Sequence, residues 1–99
     1  MGDFKKAKSY LEEAVKLSRE DGAKLPEGMA MISLGRTWWK EDSSQVSKSE
    51  ELILQGITII EKLQLKPPVY EGYLYLADLY SSTDQEDKAK KVYRKMGLT

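Results

Sequence analysis

Apolar residues recur at three- and four-residue intervals along most of this chain, the period of helices with one buried face. The clearest case is the stretch 70–96. There Tyr73, Leu76, Ala77 and Tyr80 share a face, a polar SSTDQ segment follows, and Ala89, Tyr93 and Met96 repeat the spacing. Each stripe sets a small residue among large ones, which predicts two amphipathic helices in a tight antiparallel hairpin.

The same grammar runs through the rest of the chain. Gly2 and Asp3 read as a turn, with Asp3 placed to cap the free N–H groups of a first helix. Phe4, Ala7, Leu11, Ala14 and Val15 share its face, with Tyr10 and Leu17 flanking, and Gly22 is suited to a left-handed stop after Asp21. Pro26 suits the opening turn of a second helix, in which Met31, Leu34, Gly35 and Trp38 take the slots of Tyr73, Leu76, Ala77 and Tyr80. After a polar turn over 41–45, a long third helix is predicted from Val46 to Leu63. Ser47-x-x-Glu50 reads as a capping box at its start. Its ridge is Val46, Ser49, Ile53, Gly56, Ile60 and Leu63, widened by Leu52, Ile57 and Ile59. A glycine inside a helix costs about 1 kcal/mol against alanine, so Gly56 implies a neighbour passing close; neutral drift is the alternative. Pro67 and Pro68 end that helix, and Gly97 stops a short last one.

The pattern aromatic-x2-Leu-small-x2-aromatic, then Ala-x3-aromatic, resembles the tetratricopeptide repeat (TPR). The resemblance implies an all-α fold: a TPR-like, right-handed superhelical stack of antiparallel helix hairpins, about five helices in one domain over 1–99. Residues 1–22 would be the orphan second helix of a repeat, 26–64 one repeat and 68–97 another, in a chain that continues upstream. A compact five-helix bundle is the alternative packing, disfavoured because small residues recurring in register serve stacking between units. Gly35 and Ala77 lie further apart than the ~34-residue period, and Ser49 and Gly56 stand where the repeat usually has alanine. A narrower resemblance rests on Leu34-Gly35-Arg36, the Ser49–Ile57 run, Gly72-Tyr73-Leu74 through Tyr80, and Lys95-Met96-Gly97. These are similar to a repeat region C-terminal to adenylyl/guanylyl cyclase and ATPase modules of bacterial signalling proteins, and imply a regulatory or scaffolding tail.

Charge and composition then remove whole classes of function. Sixteen basic residues balance sixteen acidic ones, which argues against nucleic-acid or membrane-surface binding, since either needs a basic excess. No apolar run approaches a membrane span and no signal-peptide core is present, so a cytoplasmic location is expected. The chain has neither Cys nor His, removing the thiolate nucleophile, the usual general base and the commonest metal ligands. No catalytic, cofactor-binding or metal-binding residue is therefore assigned. The acidic Asp84, Glu86 and Asp87 suit a helix start better than a calcium loop.

What remains is a non-catalytic module for protein–protein interaction. In such a repeat the non-core side of each first helix lines a concave groove. Here that side offers Met29, Ile32, Ser33, Arg36, Trp39 and Lys40, then Glu71, Leu74, Tyr75 and Asp78. The expected ligand is a peptide or helix of a protein partner, with Trp39, Ile32, Leu74 and Tyr75 as apolar anchors. On this reading Trp39→Ala weakens binding and spares helicity. Arg36 and Asp78 are placed for a cross-groove ion pair. Alternatively these residues pack against neighbouring repeats, a second copy or the core. A structural spacer or homodimerising segment, associating through exposed repeat ends, is the second function considered.

Overall fold

The computed structural model describes residues 3–97, so Gly2 of the expected opening turn lies outside them. Five α-helices follow one another: α1 Phe4–Asp21, α2 Lys24–Glu41, α3 Val46–Glu61, α4 Lys66–Ser82 and α5 Glu86–Lys95. The backbone of α1 packs only on α2 and that of α5 only on α4, whereas α2 meets α1, α3 and α4. The result is one helix followed by two hairpins, with principal extents of 37 × 33 × 21 Å.

Local chemistry sets most of the ends. The Asp3 carboxylate accepts from the Lys6 N–H at 3.0 Å. At the other end of α1, Gly22 is left-handed at φ 69°. The Ala23 N–H then closes on the Ser18 carbonyl at 2.8 Å, the wrapped-back stop expected of a helix ending in glycine. Gly97, at φ 79°, follows α5 in the same way. Pro67 and Pro68 sit in the first turn of α4, where a missing N–H leaves no intrahelical bond unmade. The third helix stops at Glu61 rather than Leu63, and Gln64 turns the chain with φ 59°.

One predicted start does not form. The capping box at Ser47 and Glu50 is absent, and α3 has no side-chain cap. Asp42 instead caps a short 3₁₀ turn, Ser43–Gln45, that runs straight into α3. Its carboxylate accepts from the Ser44 hydroxyl at 2.7 Å and the Ser44 N–H at 3.0 Å, and these bonds hold its pKa below the ordinary value. Glu50 is engaged elsewhere: its carboxylate accepts from the Tyr80 hydroxyl at 2.5 Å. A tertiary partner has replaced the local one.

Small residues are where the helices touch. A Cβ on Gly56 would stand 2.6 Å from the Gly28 carbonyl oxygen and 2.7 Å from Ile32 Cγ1. On Gly35 it would stand 2.8 Å from both Ile53 Cγ1 and the Ser49 carbonyl. Such spacing leaves no room for a methyl group, so α2 and α3 approach nearly backbone to backbone. Ser49, Ala77 and Ala89 are completely buried. The small positions that the sequence singled out thus line the seams between helices.

The larger core cluster runs from Ile32 and Trp39 through Ile53, Ile57 and Ile60 to Tyr73, Leu76, Leu79 and Val92. A smaller one joins Val15, Ala30 and Met31 under α1. Glu27 ties α1 to α2: it is buried and accepts from Arg19 Nε at 2.9 Å, with Lys24 Nζ 3.7 Å away. Beside this seam Lys8 pairs with Glu41. Lys8 and Lys48 also cover the Trp38 ring from α1 and α3, their ammonium groups 4.0 and 3.8 Å from its centroid.

Candidate functional site: the groove between α2 and α4

Helices α2 and α4 run side by side as the first members of successive hairpins, and the face they leave open forms a shallow groove. Where it meets the start of α1, a hollow of about 330 Å³ is lined by Phe4, Ser33, Arg36, Thr37, Lys40 and Tyr75. Phe4 reaches it because α1 and α2 are antiparallel, which brings the first turn of one beside the last turn of the other. The sequence reading placed Phe4 on the core face of α1 and passed over Thr37. The antiparallel pairing itself was the signal that could have found Phe4.

The groove's electrostatics come from four side chains. The Arg36 guanidinium lies 4.7 Å from the Tyr75 ring centroid, within range of a cation–π contact. Arg36 has no ion pair among the described residues. The ion pair expected between Arg36 and Asp78 is not made; Lys40 Nζ takes Asp78 at 3.6 Å. Lys40 lies one helical turn beyond Arg36 on α2, as Asp78 lies about one turn beyond Tyr75 on α4, so each cation meets the α4 residue at its own level. The Tyr75 hydroxyl donates to Glu71 at 3.2 Å. The α2 wall is therefore basic and the α4 wall acidic.

Two residues expected in this groove belong to the core. Ile32 is 1% exposed and Trp39 is 9% exposed. They stand two turns apart on α2 and belong to one core cluster, and Ile32 Cδ1 comes within 2.9 Å of where a Gly72 Cβ would be. Met29 is half-buried and packs against the same core. Arg36, Lys40 and Glu71 are exposed, Tyr75 and Asp78 half-buried, and Leu74 is 49% exposed. Leu74 is thus the open apolar residue of the α4 wall.

The opposite side holds a second hollow of about 340 Å³, lined by Glu50, Leu54, Tyr73, Tyr80 and, from α5, Lys88, Lys91 and Lys95. Tyr73 donates to Glu61 and Tyr80 to Glu50, each at 2.5 Å. Burial first, then the adjacent carboxylates, push both phenols above their ordinary pKa, so both remain donors. These pairs bind α4 to α3 and serve packing.

Among the described residues no group of acidic side chains is arranged to hold a metal ion, and no helix is long and apolar enough to cross a membrane. Glu86 and Asp87 lie in the first turn of α5, the position that suits their charge. Comparison with curated proteins and with solved structures gives no match. The family model of the tetratricopeptide repeat matches residues 1–21 and 70–95, which take in α1 and the α4–α5 hairpin from Tyr70 onward. The middle hairpin, with Ser49, Gly56 and the longer turn, falls between the two matches. The matches support a tetratricopeptide repeat domain, and the helices form a TPR-like helical repeat fold.

Proposed function

We propose that the chain is a non-catalytic interaction module that holds a peptide or helix of a protein partner in the α2–α4 groove. Tetratricopeptide repeats generally mediate protein–protein interaction. One observation carries the assignment of this face: Arg36, held over Tyr75 and without a carboxylate partner among the described residues, borders a hollow lined by Phe4. Arginine held over an aromatic ring, beside apolar surface, has the makeup of an interface hot spot. Leu74, Tyr75 and Phe4 supply apolar contact, and Lys40, Asp78 and Glu71 set the polarity of the rim. A regulatory or scaffolding role in a bacterial cytoplasmic signalling protein rests on the local sequence resemblance alone.

The test starts from peptides selected against the wild-type chain by display. Their affinity is then measured for Arg36→Glu and Leu74→Asp, with Lys90→Glu, on the outer side of α5, as control. Loss of about tenfold or more at both groove variants, roughly 1.4 kcal/mol, with the control unchanged, supports the reading. Equal binding to all four proteins removes the groove from consideration.

A further inference from the structure

The inner faces of α3 and α5 are covered by the helix before each, whereas the matching face of α1 is only partly covered among the described residues. Ser49 on α3 and Ala89 on α5 are fully buried against α2 and α4, and Val92 is 7% exposed. In α1 the corresponding stripe is Ala7, Tyr10, Ala14 and Leu17, where Tyr10 is 74% and Leu17 50% exposed. Those four residues alternate three and four apart, the spacing of a helix–helix seam. Val15 and Arg19, turned the other way, contact α2, while Ala7 and Ala14 are half-buried, Ala14 against the Val15, Ala30 and Met31 cluster.

We propose that this stripe pairs antiparallel with the same stripe of a second copy of the chain, across a two-fold axis near the middle of α1. The register follows from the residues. With Tyr10 opposite Ala14 of the second copy, Leu17 falls opposite Ala7 of the second copy, so every layer sets a large side chain on a small one. Along one edge stand Lys6, Glu13 and Glu20, spaced as successive turns of the seam, all exposed and without an ion pair among the described residues. The two-fold brings each Lys6 to Glu20 of the other copy, giving two attractive pairs, and brings Glu13 against its own equivalent. Along the other edge Leu11 meets Leu11 of the second copy. A two-fold contact must be self-complementary, and this stripe satisfies that in shape and in all charges but one.

The one clash makes the proposal sharp. In sedimentation or light scattering over a micromolar-to-millimolar series, the chain should pass from its 11.3 kDa monomer to a species of twice that mass. Lys6→Glu and Glu20→Lys should each weaken the dimer by roughly tenfold, since symmetry counts each change twice. The double charge swap should restore it. Glu13→Gln should tighten it several-fold, and Tyr10→Glu should abolish it. All four positions are exposed on α1, and circular dichroism checks that each variant stays folded. The proposal is overturned by a monomer at every concentration, including one that binds a synthetic α4 helix and so shows that a different helix covers the face. A dimer indifferent to Tyr10→Glu, or one that the double swap does not restore, overturns it equally. None of these substitutions lies in the α2–α4 groove, so the outcome is independent of peptide binding there.

Discussion

Replacing Gly56 with alanine sets two effects of opposite sign against each other. In an exposed helix the change would stabilise by about 1 kcal/mol through helix propensity. Here the added methyl group would stand 2.6 Å from the Gly28 carbonyl oxygen and 2.7 Å from Ile32 Cγ1, with the Ile32 amide nitrogen at 3.2 Å. The first and third of these are backbone atoms of α2 and cannot rotate away, so α2 and α3 must part. Overpacking of this kind costs about 1–3 kcal/mol, and a backbone obstacle belongs at the upper end. The net expectation is a loss of about 1–2 kcal/mol, a fall in Tm of roughly 4–16 °C for a domain of this size. Urea unfolding followed by circular dichroism measures it directly. Gly28→Ala should cost less, because its closest obstacle at 2.6 Å is the side-chain atom Ile60 Cγ1 and the Gly56 carbonyl lies 3.0 Å away. If Gly56→Ala proves as stable as the native chain, the near-contact of α2 and α3 is not what selects glycine, and the packing argument fails.

Ser49 is fully buried and its hydroxyl has no hydrogen-bond partner among the described residues, so Ser49→Ala should raise stability by about 1 kcal/mol; a lower urea midpoint would show that the hydroxyl is satisfied. Tyr80→Phe strips the Glu50 carboxylate of its donor and should cost about 1 kcal/mol in the same assay, with Tyr73→Phe similar. Because both phenols titrate higher in the fold than in the unfolded chain, their contribution is complete below the ordinary phenol pKa and declines as pH rises above about 10. Alkaline melts should therefore show a steeper loss in the native chain than in the Tyr73→Phe/Tyr80→Phe double variant. Trp39→Ala should destabilise the fold by about 3–5 kcal/mol, since Trp39 is core; unchanged stability with lost peptide binding would return it to the groove.

The Trp38–Trp39 pair shows where a linear sequence runs short. Adjacent helical residues point about 100° apart, so one stripe can claim only one of them, and the spacing of Met31, Leu34 and Gly35 favours Trp38. The fold covers α2 from three sides, and Trp39 is buried in the core cluster that α2 shares with α3, α4 and α5. A hint was present: Met29, Ala30, Met31, Ile32 and Leu34 leave no wide polar face, and a helix apolar on most sides is surrounded. By contrast the Asp3 cap, the Gly22 and Gly97 stops and the small-residue register were legible, because each depends on neighbours a few residues away or on a simple period. The engagement of Glu50 by Tyr80 and of Asp78 by Lys40 was not, because both partners come from another helix. Arg36, Lys40, Glu71 and Asp78 lie on α2 and α4, and their partners, Tyr75 for Arg36 and Asp78 for Lys40, depended on the level at which the two helices meet.

That α5, the shortest α-helix, leans on α4 alone, as α1 leans on α2, while α2 is held by three neighbours, loosens the molecule from its middle toward its ends. Thermal opening should begin at the carboxyl-terminal hairpin and stall before the centre. A protease would then trim the last ten or so residues first, unmaking the lysine-lined hollow while Arg36 and Tyr75 keep their places.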